Sequence, residues 1–259
     1  NPAFGNLNDE ITINLPTVSA RFFHSGPSLR YLFSTNTDKT LLVTPKKWLA
    51  EIKNDYNTFD MQLDIQTFGL AIRTGNYIWN FGHSVKSNID IGYSRSLIDF
   101  ISNGNANQLN EAIDLKQELT VDIYGKWRLG ITRIGNEIDW GINVNILNGI
   151  QHLSTPKSKI SLLTQDEIYQ LRLNADYKLQ SAGNIDLNGL NNSNIGGFPK
   201  FNELFTSNLG YSFDVGFLWH PSKKFSFGGA LRDLGRIKWT QNTAIYEVNG
   251  EYAFEGIDL

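Results

Sequence analysis

The sequence has no cysteine. Disulfides, thiolate chemistry and cysteine-based metal sites are therefore excluded, and an N-terminal lipid anchor of the bacterial lipoprotein kind is not expected. Basic and acidic residues nearly balance, 23 against 26, for a net charge of -3. No basic stripe is present, so nucleic acid is not expected as a partner. No apolar run approaches the ~18–20 residues that a membrane helix needs. The four histidines, His24, His83, His152 and His220, are far apart and share no metal-ligand spacing; each is expected on a rim or an inner wall. There is no Gly-x-Ser-x-Gly elbow and no Walker loop, and no motif points to the Ser–His pair of a barrel lipase. Neither an enzyme nor a cofactor is expected. The chain opens Asn1-Pro2-Ala3 without Met or a charged-then-apolar leader, which fits a mature form after signal removal or a numbering that starts late.

What is present is alternation. From Leu115 to Ile131 the odd positions are mostly apolar (Leu119, Val121, Ile123, Trp127, Leu129), and the even ones are polar or charged (Glu118, Asp122, Tyr124, Lys126, Arg128). That is the period of a strand, not a helix. After Gly135-Asn136 the parity inverts, with Ile138, Trp140, Ile142, Val144 and Ile146 now apolar. A two-residue turn would set Ile131 against Trp140, Leu129 against Ile142 and Trp127 against Val144, so the apolar faces coincide. Ordinary strands run about 5–6 residues, whereas ~17 residues at ~3.3 Å each exceed ~50 Å. A tilted strand that crosses a bilayer and continues beyond it needs such length.

The pattern recurs. Around Gly75-Asn76, Ile72 faces Trp79, Leu70 faces Phe81 and Phe68 faces His83. Met61, Leu63 and Ile65 are odd where Phe68, Leu70 and Ile72 are even, which predicts a β-bulge near Thr67. Ser158 to Leu163 and Ile168 to Gln180 form a third hairpin around Thr164-Gln165-Asp166, with Tyr169, Leu171, Leu173, Ala175, Tyr177 and Leu179 on one face. A three-residue loop after Pro221 pairs Phe217 with Phe227, and Gly216 with Gly228. Tight turns thus fall near 74–76, 135–136, 164–166 and 221–223, and longer segments near 88–114, 150–156 and 181–206. In an up-and-down antiparallel barrel, this alternation puts all four tight turns at one end and the long loops at the other. A helix is expected after Thr44-Pro45, from Lys46 to Ile52, and another from Ser94 to Ser102, closed by Asn103-Gly104. The Asn/Gly-rich residues 183–199 read as an external loop.

Asn1-Pro2-Ala3-Phe4 is similar to the start of long-chain fatty acid transporter-like outer-membrane barrels, in which an N-terminal segment lies inside the barrel. Over the whole chain the sequence more closely resembles an outer-membrane barrel family of Bacteroidota without settled activity, through GINVNILNGI (141–150) and LGYSFDVGFLWHPSKKFSFGGALRDLGRIKW (209–239). The resemblance implies a single barrel domain over residues 1–259, in the bacterial outer membrane, with about 14 strands in relatives. Some distant relatives are subunits of the type IX secretion apparatus. About nine or ten strands are counted here, so further C-terminal strands are expected beyond Leu259.

The expected architecture is therefore all-β: an up-and-down transmembrane barrel with short periplasmic turns, long external loops and an N-terminal segment in the lumen. Lumen-facing candidates are Glu118, Asp122, Tyr124, Lys126, Arg128, Asp214, Gly216 and Gly228; Asn1, Pro2, Ala3 and Phe4 are candidates for an internal hatch. Mixed charge inside suggests a cross-linked, partly filled lumen rather than an ion-selective pore. Gly141, Gly216 and Gly228 leave a stretch of wall without side chains, which admits the hatch or a ligand, or relieves curvature. Trp79, Trp127, Trp140 and Trp219 lie on apolar faces, as lipid-facing girdle residues or as a stacking site for a sugar or lipid. Asp233-Leu234-Gly235-Arg236 reads as an internal Asp–Arg pair at a strand end, or as a turn. Two functions are open: a conduit for a small hydrophobic or amphiphilic solute, and an accessory barrel within a larger secretion or assembly machine. Membrane lipid is a partner in both, and other outer-membrane proteins in the second.

Overall fold

A computed structural model describes residues 1–3, 9–35, 37, 39–106, 108–166, 170–185, 206–222 and 224–254. The described residues are mostly antiparallel strand. β1 (Ile11–Asn14) and β2 (Thr17–His24) both pair with β5 (Tyr56–Thr74), one above the other. A small hairpin, β3 (Phe33–Thr35) with β4 (Leu41–Val43), and helix α1 (Pro45–Glu51) lie in the connection between β2 and β5. The sheet continues through β6 (Tyr77–Ser94), helix α2 (Arg95–Asn103), β7 (Ala112–Asp114), β8 (Gln117–Arg133) and the 27-residue β9 (Ile138–Thr164). Beyond β9 it divides. The last half of β9 pairs with β10 (Leu171–Gly183), and the first half with β11 (Leu209–Ser222). β12 (Phe225–Ile237) then pairs with β11, and β13 (Ala244–Phe254) with β10. β10 and β11 are thus the two halves of one descending wall strand, and β12 and β13 the halves of the next ascending one.

The sheet is rolled. Between β6 and β12 lie three other strands, a flat separation of ~19 Å at ~4.8 Å per step. Yet Lys86 Nζ on β6 lies 3.1 Å from Asp233 Oδ2 on β12. The polar face is therefore concave and the apolar face convex. The outer edges, β1/β2 and β12/β13, are not hydrogen-bonded to each other, so the described sheet is curved but not closed.

The helices form where expected. α1 begins at Pro45 behind Thr44. α2 is capped by the Ser94 hydroxyl, which accepts from Leu97 N at 3.2 Å, and ends at Gly104 with φ 72°, a conformation that suits glycine. The first hairpin has the expected register, with the bulge between Gln66 and Phe68.

Two registers differ by two residues. Ile131 faces Ile142, not Trp140, Leu129 faces Val144 and Trp127 faces Ile146, because the connection is four residues long and Gly135 N donates to Asp139 Oδ1 at 2.9 Å. Phe217 faces Gly229, not Phe227, and Gly216 faces Ala230, not Gly228, with an irregularity between Trp219 and Ser222. A shift of two keeps every side chain on its face.

Two placements are overturned. Residues 150–156 are not a connection but the middle of β9, so Thr164–Asp166 lies at the end opposite to Gly75-Asn76, Gly135-Asn136 and Pro221. Near Thr164, Asn110 N donates to its carbonyl at 2.7 Å; at the far end His220 N donates to Glu137 O at 2.7 Å. The loop signal came from Ser154-Thr155-Pro156. There the hydroxyls of Thr155 and Ser158 accept from Leu119 N and Gln117 N, at 2.8 and 3.1 Å, replacing ladder bonds around a proline. Likewise 181–206 is not a loop at the far end: it interrupts a wall strand halfway down, and residues 186–205 of it lie outside the described ones.

The convex face carries Phe81, Leu129, Ile142, Val144, Phe213, Phe217 and Phe227, all exposed. Trp127 and Trp140 are half-buried. Val121 shares this face but is covered: it is 3 % exposed, in a cluster with Ile123, Ile150, Leu153 and Ile185, against which Leu119 packs. Ile185 follows Gly183, whose φ is 77° and whose Cβ position lies 2.1 Å from Ile150 O. Gly183→Ala should therefore destabilise by about 2 kcal/mol or more, through left-handed strain plus a backbone clash. Gly104→Ala, with φ 72° and open space around it, should cost about 1 kcal/mol; denaturant unfolding of the two variants measures the gap.

Candidate functional site

The concave face is built by strand alternation, and its centre is an ion-paired network. Lys126 on β8 reaches Asp214 on β11 at 3.4 Å and Asp233 on β12 at 2.5 Å. Lys86 reaches Asp233 at 3.1 Å and Asp64 at 3.7 Å. Asp214 also accepts from Asn143 Nδ2 at 3.1 Å and from Asp233 N at 2.8 Å. Asp233 occupies a left-handed conformation, φ 57°, at the irregularity between Phe213 and Val215 of β11. That costs about 1–3 kcal/mol, offset by its backbone bond to Asp214 and by two lysines. Asp233 is thus neither paired with Arg236 nor in a turn; Arg236 lies over the Tyr211 ring at 5.9 Å. Lys126 and Asp214 retain only 4 and 3 % of side-chain exposure, so each charge depends on the other.

The first residues of the chain lie on the same face. Asn1 Nδ2 donates to Phe217 O at 3.3 Å and Gly229 O at 3.4 Å, and Thr132 Oγ1 donates to Pro2 O at 2.6 Å. Ala3 is buried. A Cβ on Gly141 would sit 2.0 Å from Pro2 O, and one on Gly216 2.0 Å from Asn1 Oδ1. Gly228 is more distant, 3.6 Å from Asn1 Nδ2 by the same measure. Phe4 lies outside the described residues.

The remaining candidates divide. Arg128 lies on the concave face over Gly82, and with Arg232 lines two cavities of about 190 and 250 Å³. Tyr124 sits across from Lys86. Glu118 belongs elsewhere: near the helical end, it accepts from Tyr56 Oη at 2.5 Å and pairs with Lys116 at 3.1 Å.

Asp122 belongs to a second cluster that the sequence did not reveal. Its Oδ1 lies 2.7 Å from His152 Nδ1, and His152 Nε2 lies 3.1 Å from Ser154 Oγ. The imidazole stacks on Trp239, with ring centroids 5.1 Å apart. His152 and Ser154 are two apart on one strand, which is a visible signal, but reading 150–156 as a connection hid it. The other histidines bond to Tyr93 (His24), Thr67 (His83) and Asp139 (His220). Among the described residues no group of acidic residues and histidines is placed to hold a metal ion.

A family model described as a family of unknown function (DUF5723) matches residues 2–259, and the chain belongs to that family. No curated protein and no solved structure matches it.

Removing one member of a buried pair leaves an unpaired charge, at a cost of about 3–5 kcal/mol. Lys126→Met should cost that much, because two carboxylates lose their shared partner. Lys126→Met combined with Asp214→Asn should cost less than the two single changes added together, measured as a double-mutant cycle of denaturant unfolding.

Proposed function

We propose that this DUF5723 chain forms the wall of a β-barrel in the bacterial outer membrane, and that its interior is held shut by its own residues rather than open as a pore. One observation carries the reading: the convex face is an exposed apolar belt. On β9 and β11 it runs from Ile138 to Ile146 and from Leu209 to Trp219. That is about the 9–11 residues a tilted strand needs to cross the hydrocarbon layer. Trp79 and Trp219, 50 and 45 % exposed, lie toward the end of the belt that carries the tight turns, where an aromatic girdle belongs. Exposed apolar surface of this extent is costly in water and neutral in lipid. The charged side chains of Lys86, Lys126 and Asp214 turn the other way.

The interior supports a closed state. Lysines and aspartates of both signs cross-link it, and Asn1 to Ala3 occupy the wall at Gly141 and Gly216. Passage of a small amphiphilic solute then requires that segment to move. The second reading, an accessory barrel that transports nothing within a larger outer-membrane assembly, draws support from the same cross-linking, beside which, among the described residues, lie separate cavities of about 190–300 Å³.

In single-tryptophan variants reconstituted into vesicles, lipids brominated on their acyl chains should quench Trp79 and Trp219. Trp48, 7 % exposed beside Ile52 and Tyr93, should stay bright. Equal quenching of all three, or of none, removes the membrane reading.

In planar bilayers the native chain should show no stable conductance. Gly141→Leu, which drives a side chain into Pro2 O, should produce it if the barrel is a closed conduit. Silence in both, with stoichiometric recovery of other outer-membrane proteins in mild detergent, selects the accessory reading.

A further inference from the structure

The concave face holds a constellation that the barrel reading does not use. We propose that Asp122, His152 and Ser154 form a hydrolytic site, with Ser154 as nucleophile, and that it cleaves acyl esters.

The geometry is that of an activated serine. The Asp122 carboxylate faces His152 Nδ1 at 2.7 Å, so that nitrogen carries the proton and donates it. Nε2 is then left as an acceptor, 3.1 Å from Ser154 Oγ. Nucleophile, base and orienting acid stand in order, each within hydrogen-bond reach of the next. The fold fixes all three. Asp122 and His152 are direct partners across β8 and β9, and His152 and Ser154 share a face by the two-residue period. Trp239 stacks on the imidazole at an interplanar angle of 23°, which restrains the tilt of the ring, and the bond from Nδ1 to Asp122 opposes its flip. Asp122 and His152 keep 31 and 21 % of side-chain exposure, enough for a substrate to reach them. Directly opposite Ser154 are Thr120 on one neighbouring strand and Gln180 on the other. A hydroxyl and a carboxamide thus stand on the strands to either side of the nucleophile, as the donors nearest in the ladder for an attacked carbonyl oxygen.

In the reaction, Ser154 Oγ bonds to the acyl carbon as its proton passes to His152 Nε2, and Asp122 stabilises the imidazolium. The ester C–O bond breaks, and the leaving oxygen takes that proton and departs as an alcohol. Water then attacks the acyl-serine, giving one proton to His152. The acyl carbon–Oγ bond breaks, Oγ recovers the proton, and a carboxylic acid is released. Ester and water give acid and alcohol, with no other reactant.

The test uses the full chain in detergent micelles, with a fluorophosphonate probe and p-nitrophenyl butyrate. The expected result is covalent labelling that mass spectrometry places on Ser154 of the native chain, together with ester hydrolysis above the micelle background. Ser154→Ala should abolish both. Asp122→Asn, which keeps the shape but favours the wrong tautomer, should lower hydrolysis on the order of 10²–10⁴-fold, with circular dichroism and heat-dependent gel mobility unchanged. Absence of label on Ser154 in the native chain overturns the proposal without recourse to any variant. Hydrolysis that survives Ser154→Ala does the same. So does an Asp122→Asn chain that loses stability but not rate, since that marks the hydrogen-bonded chain as structural only.

Discussion

In a sheet with one apolar and one polar face, a single added residue turns every later side chain on its strand to the wrong side. The rest of this structure depends on where such residues are spent. Thr67 is one: Met61, Leu63 and Ile65 point outward before it, and Phe68, Leu70 and Ile72 after it. The neighbouring strand makes the same change at the break between Asn14 and Thr17, where Pro16 has no N–H to contribute. Because both strands switch together, the apolar belt and the polar wall pass across the irregularity without mixing. Ile150 and Asp233 mark two more such positions, and the chemistry of the concave face gathers beside them.

Face parity was legible in the sequence because it requires only counting by twos, and it placed Lys126, Arg128, Asp214 and Gly216 on the concave side. The bulge at Thr67 was legible for the same reason: it is a change of parity. Register was less so. Hairpins at Gly135-Asn136 and Pro221 pair apolar with apolar in either of two registers; at the first the Asp139 carboxylate bonding back to Gly135 N decides, and at the second the irregularity between Trp219 and Ser222, neither of which has a signature in the alternation. Residues 150–156 misled because Gly149 and Pro156 resemble loop punctuation, whereas hydroxyls of Thr155 and Ser158 substitute for ladder bonds there. The halving of one wall strand into β10 and β11 was not legible at all, since an insertion inside a strand looks the same in sequence as a loop between two strands.

Charge on the concave face follows from curvature. Rolling the sheet brings Asp233 from one side of it to Lys86 and Lys126 on the other, residues 147 and 107 positions away. A flat sheet would leave them apart and hydrated. Once they are together and Lys126 and Asp214 are buried, the loss of either is costly, so the network resists unrolling. The glycines at 141 and 216 serve the same closeness, because they let the start of the chain lie directly against the wall, where any side chain would hold it off.

The two faces meet at Ile150. Before it, the inward residues of β9 are odd, such as Gly141, Asn143 and Asn145; after it they are even, His152 and Ser154. If Ile150 were paired as regular strand instead of bulged, His152 would point outward, away from Asp122. Something must then hold the bulge, and the convex side provides it: Ile150 is fully buried among Val121, Ile123, Leu153 and Ile185, with Asn184 N bonded to its carbonyl at 2.9 Å. Interdigitated side chains of this kind do not slide by a residue without opening cavities. The covering of Val121 by Ile185, which removes part of the apolar belt from the surface, is thereby explained. It clamps the backbone from outside so that His152 keeps its distance to Asp122 and Ser154 inside, which is the rigid backing that a set of three hydrogen-bonded side chains needs if it is to act as a unit.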